Sequence, residues 1–240
     1  MHSETTSLKW AAMVVAADNT HHLLGGEPAY TSRFLNVDKF RPPGLAVARD
    51  DGGMFHINAR GVPISAVRFL QAFGFYEGLA AVQSNDGWLH IRSDGTPAYE
   101  ARFDWVGNWQ HARCVVRDFQ GQYFHIKDGG DAAYAERYVY AGDFREDAAV
   151  VHQANGLATH IDSNGRLLHG RWFPALDVFH KGFARARDEK GWHHINRSGQ
   201  AAYEQRFMEV DAFYNGQAWA KSVDGSRLII NQRGDVIRTF

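Results

Sequence analysis

The sequence predicts an all-β fold, a β-propeller-like ring of six or seven small three-stranded repeats of about 35 residues, with an open solenoid of stacked β-hairpins as the alternative. Three observations predict it. The dipeptide His-Ile stands at His56-Ile57, His90-Ile91, His125-Ile126, His160-Ile161 and His194-Ile195, with His22-Leu23 before the series and Ile229-Ile230 after it, at intervals of 34 or 35 residues. A second ladder, Arg followed by an aromatic, has the same period at Arg33-Phe34, Arg68-Phe69, Arg102-Phe103, Arg137-Tyr138, Arg171-Trp172 and Arg206-Phe207. Between them lies an aromatic, a turn and a small or β-branched run, as in Phe75 to Val82 and Phe179 to Ala186.

Each unit divides into three strands. The first is expected to hold the Arg-aromatic pair and run toward the next aromatic, the second is the Ala/Val run and the third carries His-Ile. Asp50-Asp51-Gly52-Gly53, Asn85-Asp86-Gly87 and Asp224-Gly225 join the second strand to the third. Gly, Asn and Asp there tolerate the positive φ of a tight hairpin. Ser93-Asp94-Gly95 and Ser163-Asn164-Gly165 close the third strand. No window has the three-and-four apolar spacing of a helix. The chain reads as a single repeat domain over 1–240, with units centred on residues 22, 56, 90, 125, 160, 194 and 229. A unit this small cannot bury its own apolar face, so its neighbours must complete it.

These residues resemble the WG-repeat (KWG) family. The closest copies are Gly87-Trp88-Leu89-His90-Ile91 and Gly191-Trp192-His193-His194-Ile195, and the resemblance extends from about Trp10 to Ile237. It implies a bacterial accessory module, in some cases beside a biosynthetic enzyme, and it carries no catalytic residues over. The chain departs from the family in placing His where Tyr or Phe is usual.

Composition narrows the function. A formal net charge of −1 and the lack of any Lys/Arg run argue against nucleic-acid or membrane-surface partners. Cys114 is the one cysteine, so no intrachain disulfide forms and a reducing, cytoplasmic setting is expected. No phosphate loop, nucleophile elbow, Cys-x-x-Cys or His-Glu-x-x-His occurs, and no cofactor or metal is expected.

Side chains alternate across a strand, so His56 shares a face with Met54 and Asn58, and Ile57 with Phe55. The Ile face is expected to be the drier. A residue present in every unit is most simply there to join units. Each imidazole would bond to a neighbouring unit, through the repeated Arg or a turn carboxylate, and pack on an aromatic. Each Arg would stack on aromatics and pair with Asp or Glu as a clamp between units. Cys114 takes the position of Ala80 and Ala184, that of a small core residue.

The sharper alternative is ligand contact. The candidate ligand-binding residues on that reading are His56, His90, His125, His160, His194, Arg102, Arg137, Arg206, Trp88, Trp192 and His193. Units four to six also carry extra histidines at His152, His169 and His180, and Phe179 to Gly182 with Lys190 to His194 gathers basic and aromatic groups. The functional expectation is a monomeric, non-catalytic binding or scaffold module for a protein, peptide or small-molecule ligand. The alternative is an enzyme with a His/Arg site in a central channel, with or without a metal.

Overall fold

A computed structural model describes residues 9–240. Apart from a 3-10 turn at Trp10–Ala12, the regular structure in these residues is β-strand. No helix is long and apolar enough to cross a membrane. The strands form seven small antiparallel sheets, one for each period of the sequence, as the all-β repeat reading requires.

The chain divides into two compact units. The first comprises Met1–Gln120 with Lys127–Asp131, and the second Gly121–Ile126 with Ala132–Phe240. In the first, repeat 1 is the sheet Val14–Val15, His22–Leu24 and Glu27–Pro28. Repeat 2 is Asn36–Val37, Leu45–Asp50 and Gly53–Asn58, and repeat 3 is Gln71–Ala72, Ala80–Ser84 and Gly87–Ile91. The pair Trp105–Val106 and Cys114–Arg117 opens repeat 4. The second unit takes up repeat 4 at Tyr123–Ile126. Repeat 5 follows with Tyr140–Ala141, Ala149–His152 and Ala158–Ile161, then repeat 6 with Ala175–Leu176, Phe183–Asp188 and Gly191–Asn196. Repeat 7 has four strands, Glu209–Val210, Gln217–Lys221, Arg227–Asn231 and Val236–Thr239.

The fourth strand exists in reduced form elsewhere. After each His-Ile strand the chain doubles back and touches it twice. Ile57 bridges Pro63 and Met54 bridges Phe69 in repeat 2, while Ile195 bridges Ala201 and Trp192 bridges Phe207 in repeat 6. Pro63 and Pro97 fit such an edge, which lacks a full ladder to supply with N–H groups. In repeat 7 the same segment pairs as a strand from Ile230↔Val236 to Leu228↔Thr239, with a register shift between Ile229 and Ile230.

Register places the two ladders on opposite faces. In repeat 2, Val47 lies opposite His56 on one face, and Ala46 lies opposite Ile57 on the other. Ile57, Phe55, Ala46, Ala48 and Phe40 join Tyr30 in one apolar cluster, against which Trp10, Met13 and Val15 of repeat 1 pack. The small Ala side chains of the second strand leave room for the aromatics. The expectation of one drier face is corrected here. His56 is as buried as Ile57, because a following repeat covers the His face as a preceding one covers the Ile face.

Close approach between repeats also needs glycine. The aromatic ring of Tyr99 lies over Gly130, two glycine-closed turns apart along the chain, and a Cβ at Gly130 would stand 2.7 Å from Tyr99 Cγ. The backbone there has φ +85°, in the left-handed region. Gly130→Ala is therefore expected to combine backbone strain with overpacking, about 2–4 kcal/mol in all. Gly121→Ala, at φ +81° but facing open space, should lose only about 1–2 kcal/mol. Equal melting temperatures for the two variants would contradict the ring-on-glycine contact.

Candidate functional site

The repeated histidines form the joints between repeats. His22, His56, His90, His125, His160 and His194 are 0–2 % exposed. Each Nε2–H donates to a main-chain carbonyl just beyond the first strand of the next repeat: Asp38, Phe73, Gly107, Gly142, Asp177 and Asp211, at 2.8–3.0 Å. That donation fixes the tautomer and leaves Nδ1 as an acceptor. Tyr30, Tyr99, Tyr134 and Tyr203 each donate their hydroxyl to it at 2.5–2.6 Å. In repeat 5, His169 Nε2 lies 3.0 Å from His160 Nδ1 in the same place. Each imidazole also packs against the turn aromatic of the next repeat, from 3.8 Å for His194 on Phe213 to 5.6 Å for His90 on Trp109.

The tyrosine ladder escaped the sequence reading, although it keeps the same period at Tyr30, Tyr99, Tyr134 and Tyr203. Its signal is broken by His169 and by Ser65 in repeat 2. Ser65 is too short to reach the imidazole, so His56 Nδ1 is buried without a hydrogen-bond partner. The partner of each histidine also differs from the expected Arg or turn carboxylate. A backbone carbonyl is available in every repeat whatever the side chain.

The arginines fasten each repeat to itself, which corrects their expected role as clamps between units. Arg68 stacks 3.6 Å above Phe55 and pairs with Asp50, all within the return segment and sheet of repeat 2. Arg137 stands 3.6 Å above Phe124, Arg206 pairs with Asp188 at 2.7 Å, and Arg102 pairs with Asp86 at 3.2 Å. The Nη1 groups of Arg33, Arg137 and Arg206 each donate to three successive carbonyls of the turn before them. Trp88 is half-buried and stacks on Phe73 at 5.8 Å. Cys114 is buried in the position of Ala80, its thiol donating toward the Gly107 carbonyl at 3.4 Å.

The basic and aromatic segment of repeat 6 is divided by the Phe183–Asp188 strand. His180 and Lys181 lie before its first residue and Lys190 in the hairpin after its last, while His193 sits within the third strand opposite Ala186. His180 faces a cleft of about 980 Å³ along repeats 5 to 7, with Tyr140, Arg145, His152, Arg185 and Tyr214. Tyr140 and His152 meet edge to face at 5.2 Å, and Tyr214 is 72 % exposed with Lys181 Nζ 5.2 Å above its ring. Arg185 stands where repeats 2 to 5 carry Val or Ala. It is held by Asp177 and donates to the Val210 carbonyl at 3.0 Å. Its guanidinium lies 5.7 Å from the ring of half-buried Trp192. His193 and Arg206 line a second cleft, of about 610 Å³.

Residues 57–88, from the end of one His-Ile strand to Gly87-Trp88 of the next repeat, match the family model described as WG containing repeat. The chain carries a WG repeat. That match spans about one period of the ladders, from Ile57, the residue after His56, to Gly87-Trp88 at the start of the third strand of repeat 3. No curated protein sequence matches. Among solved structures, the chain is similar to the computationally designed Ika8 protein, at 16 % identity and TM-score 0.45 over 95 % of this chain and 83 % of that one. It is similar to BamB from Moraxella catarrhalis, at 13 % identity and TM-score 0.46 over 95 % and 84 %. It is also similar to the WD40 β-propeller domain of Doa1, at 12 % identity and TM-score 0.35 over 90 % and 87 %.

Two predictions follow from the joints. Tyr134→Phe leaves His125 Nδ1 buried without its donor and should cost about 1–3 kcal/mol. Ser65→Tyr supplies the donor that His56 lacks and should raise the urea midpoint. Opposite signs for the two changes are the expected result, and a destabilised Ser65→Tyr would count against the joint.

Burial lowers the imidazoles of His90, His160 and His194 to about 4. Unfolded, they titrate near 6.5, so between these values the unfolded chain binds more protons. The stability they confer is complete above about pH 6.5 and is lost as pH falls through about 4. By pH 5 the loss is on the order of 2 kcal/mol for each. Urea titrations at pH 7 and 5 should show a clear drop, and a flat profile would contradict neutral joints.

Proposed function

We propose that the protein is a non-catalytic binding module, a propeller-like WG-repeat scaffold that holds an extended peptide in the cleft of repeats 5 to 7. One observation carries this reading: the groups that join repeats recur, whereas those on the cleft rim change from repeat to repeat. Arg145, His180 and Tyr214 occupy one turn position in three successive repeats, where repeats 2 to 4 have Arg41, Tyr76 and Gln110. A regular frame with a non-repeating rim suits a ligand whose own sequence is not repetitive. Arg145 and Lys181 favour acidic groups, and the exposed faces of Tyr214 and Tyr140 favour aromatic or apolar ones.

The test is anisotropy titration with labelled peptides that alternate acidic and aromatic residues. Arg145→Ala and Tyr214→Ala should each weaken binding about tenfold, or about 1.4 kcal/mol, with little change in melting temperature because both side chains are exposed. Peptides that bind neither the parent nor any variant, or that bind all three alike, would set the reading aside.

A further inference from the structure

The second cleft, at the other end of the Phe183–Asp188 strand, holds two side chains that break the pattern of the repeats. One is Arg171. Its counterparts Arg33, Arg68, Arg102, Arg137 and Arg206 all donate to carbonyls of the turn before them. Among the described residues, the Arg171 guanidinium has no hydrogen-bond or ion-pair partner, and it is exposed in the cleft. The sequence explains its release. The hairpin residue that is Asp50 in repeat 2 and Asp188 in repeat 6 is Ala154 in repeat 5, and the stacking position of Phe55 and Phe124 is Thr159.

The other is His193, in the position of Phe55 and Phe124 one repeat further on. It is 2 % exposed, and its Nδ1 has no hydrogen-bond partner, with Asp188 Oδ2 3.8 Å away. A buried ring nitrogen without a hydrogen-bond partner is uncommon unless something else completes it. Asp188 does not do so. Its carboxylate is already taken by Arg206 Nε at 2.7 Å and by the backbone amides of Lys190 and Gly191 at 2.9 and 3.1 Å.

Both side chains line one cleft of about 610 Å³, with Lys190 on its rim and Trp172, Phe173 and Pro174 on its apolar wall. We propose that this cleft binds a small ligand with an anionic head and a planar apolar body, an aryl carboxylate or aryl phosphate. Arg171 and Lys190 supply the positive charge for the head, His193 donates a ring N–H to it, and the body lies along Trp172 and Pro174. Asp188 and Glu189 also line the cleft and oppose binding; Arg206 offsets the first, and the second disfavours ligands with another anionic group at that end.

The test is calorimetric titration of the full chain with benzoate, phenyl phosphate and inorganic phosphate. Binding of one aryl anion at one per chain is expected, and the tighter of the two identifies the head group. Arg171→Ala and His193→Phe should each weaken it tenfold or more. His193→Phe restores the residue of repeats 2 and 4, so its melting temperature should not fall, which separates lost binding from lost folding. Arg145→Ala and Tyr214→Ala, at the peptide cleft, should leave the titration unchanged, so this site and the peptide site stand or fall separately. No binding by either aryl anion, binding by both site variants as tight as the parent's, or inorganic phosphate matching phenyl phosphate would overturn the proposal.

Discussion

A neutral imidazole, buried between two sheets and donating forward to a backbone carbonyl, is the constraint on which the structure rests. A three-stranded sheet of this size has two faces and no core of its own, so it is stable only when both faces are covered. Apolar packing covers them but does not fix where one sheet sits on the next. The Nε2–H···O=C bond does, because an unpaired donor or acceptor in that setting costs far more than a made bond returns. The carbonyl fixes the tautomer, and the tyrosine hydroxyl completes the arrangement by donating to Nδ1. Apolar side chains around it can then vary, as Trp109 for Phe75 shows, without moving the sheets.

The ladders were legible because a repeat states its own alignment. Hairpin turns and the all-β class follow from that alignment together with the Gly/Asp-rich turns and the lack of helical apolar spacing. The choice of partners was not legible. A backbone carbonyl leaves no mark in a sequence, so the acceptor of His90 cannot be read there, and Arg68 looks the same whether it stacks forward or back. Tyr134 was readable in principle, yet Ser65 and His169 interrupt its series and hide it. The clefts were less accessible still. His180 and His193 are close in sequence, but one lies in the turn before the Phe183–Asp188 strand and the other inside the next strand, and they line different clefts.

Repetition and its failure divide the labour in this molecule. Where a position recurs, its side chain is spent on the frame, as with His194 between repeats and Arg206 within one. Where one repeat departs, as with Arg185, Arg171 or His193, a group is released from the frame or added to it, and in repeats 5 to 7 these departures line open clefts. Binding surface on such a scaffold can change one repeat at a time, because each joint is made by residues of adjacent repeats only.

Ser65 gives this regular chain a preferred place to yield. Five of the six histidine joints have a second ring-nitrogen contact, and the one between repeats 2 and 3 does not. Where each repeat contacts only its neighbours, stability is approximately a sum over neighbouring pairs, so the smallest term sets where local opening starts. Amides flanking His56 would then exchange with solvent sooner than their counterparts elsewhere, and the parts on either side of that joint would behave as separate cooperative blocks of a chain whose sequence looks uniform.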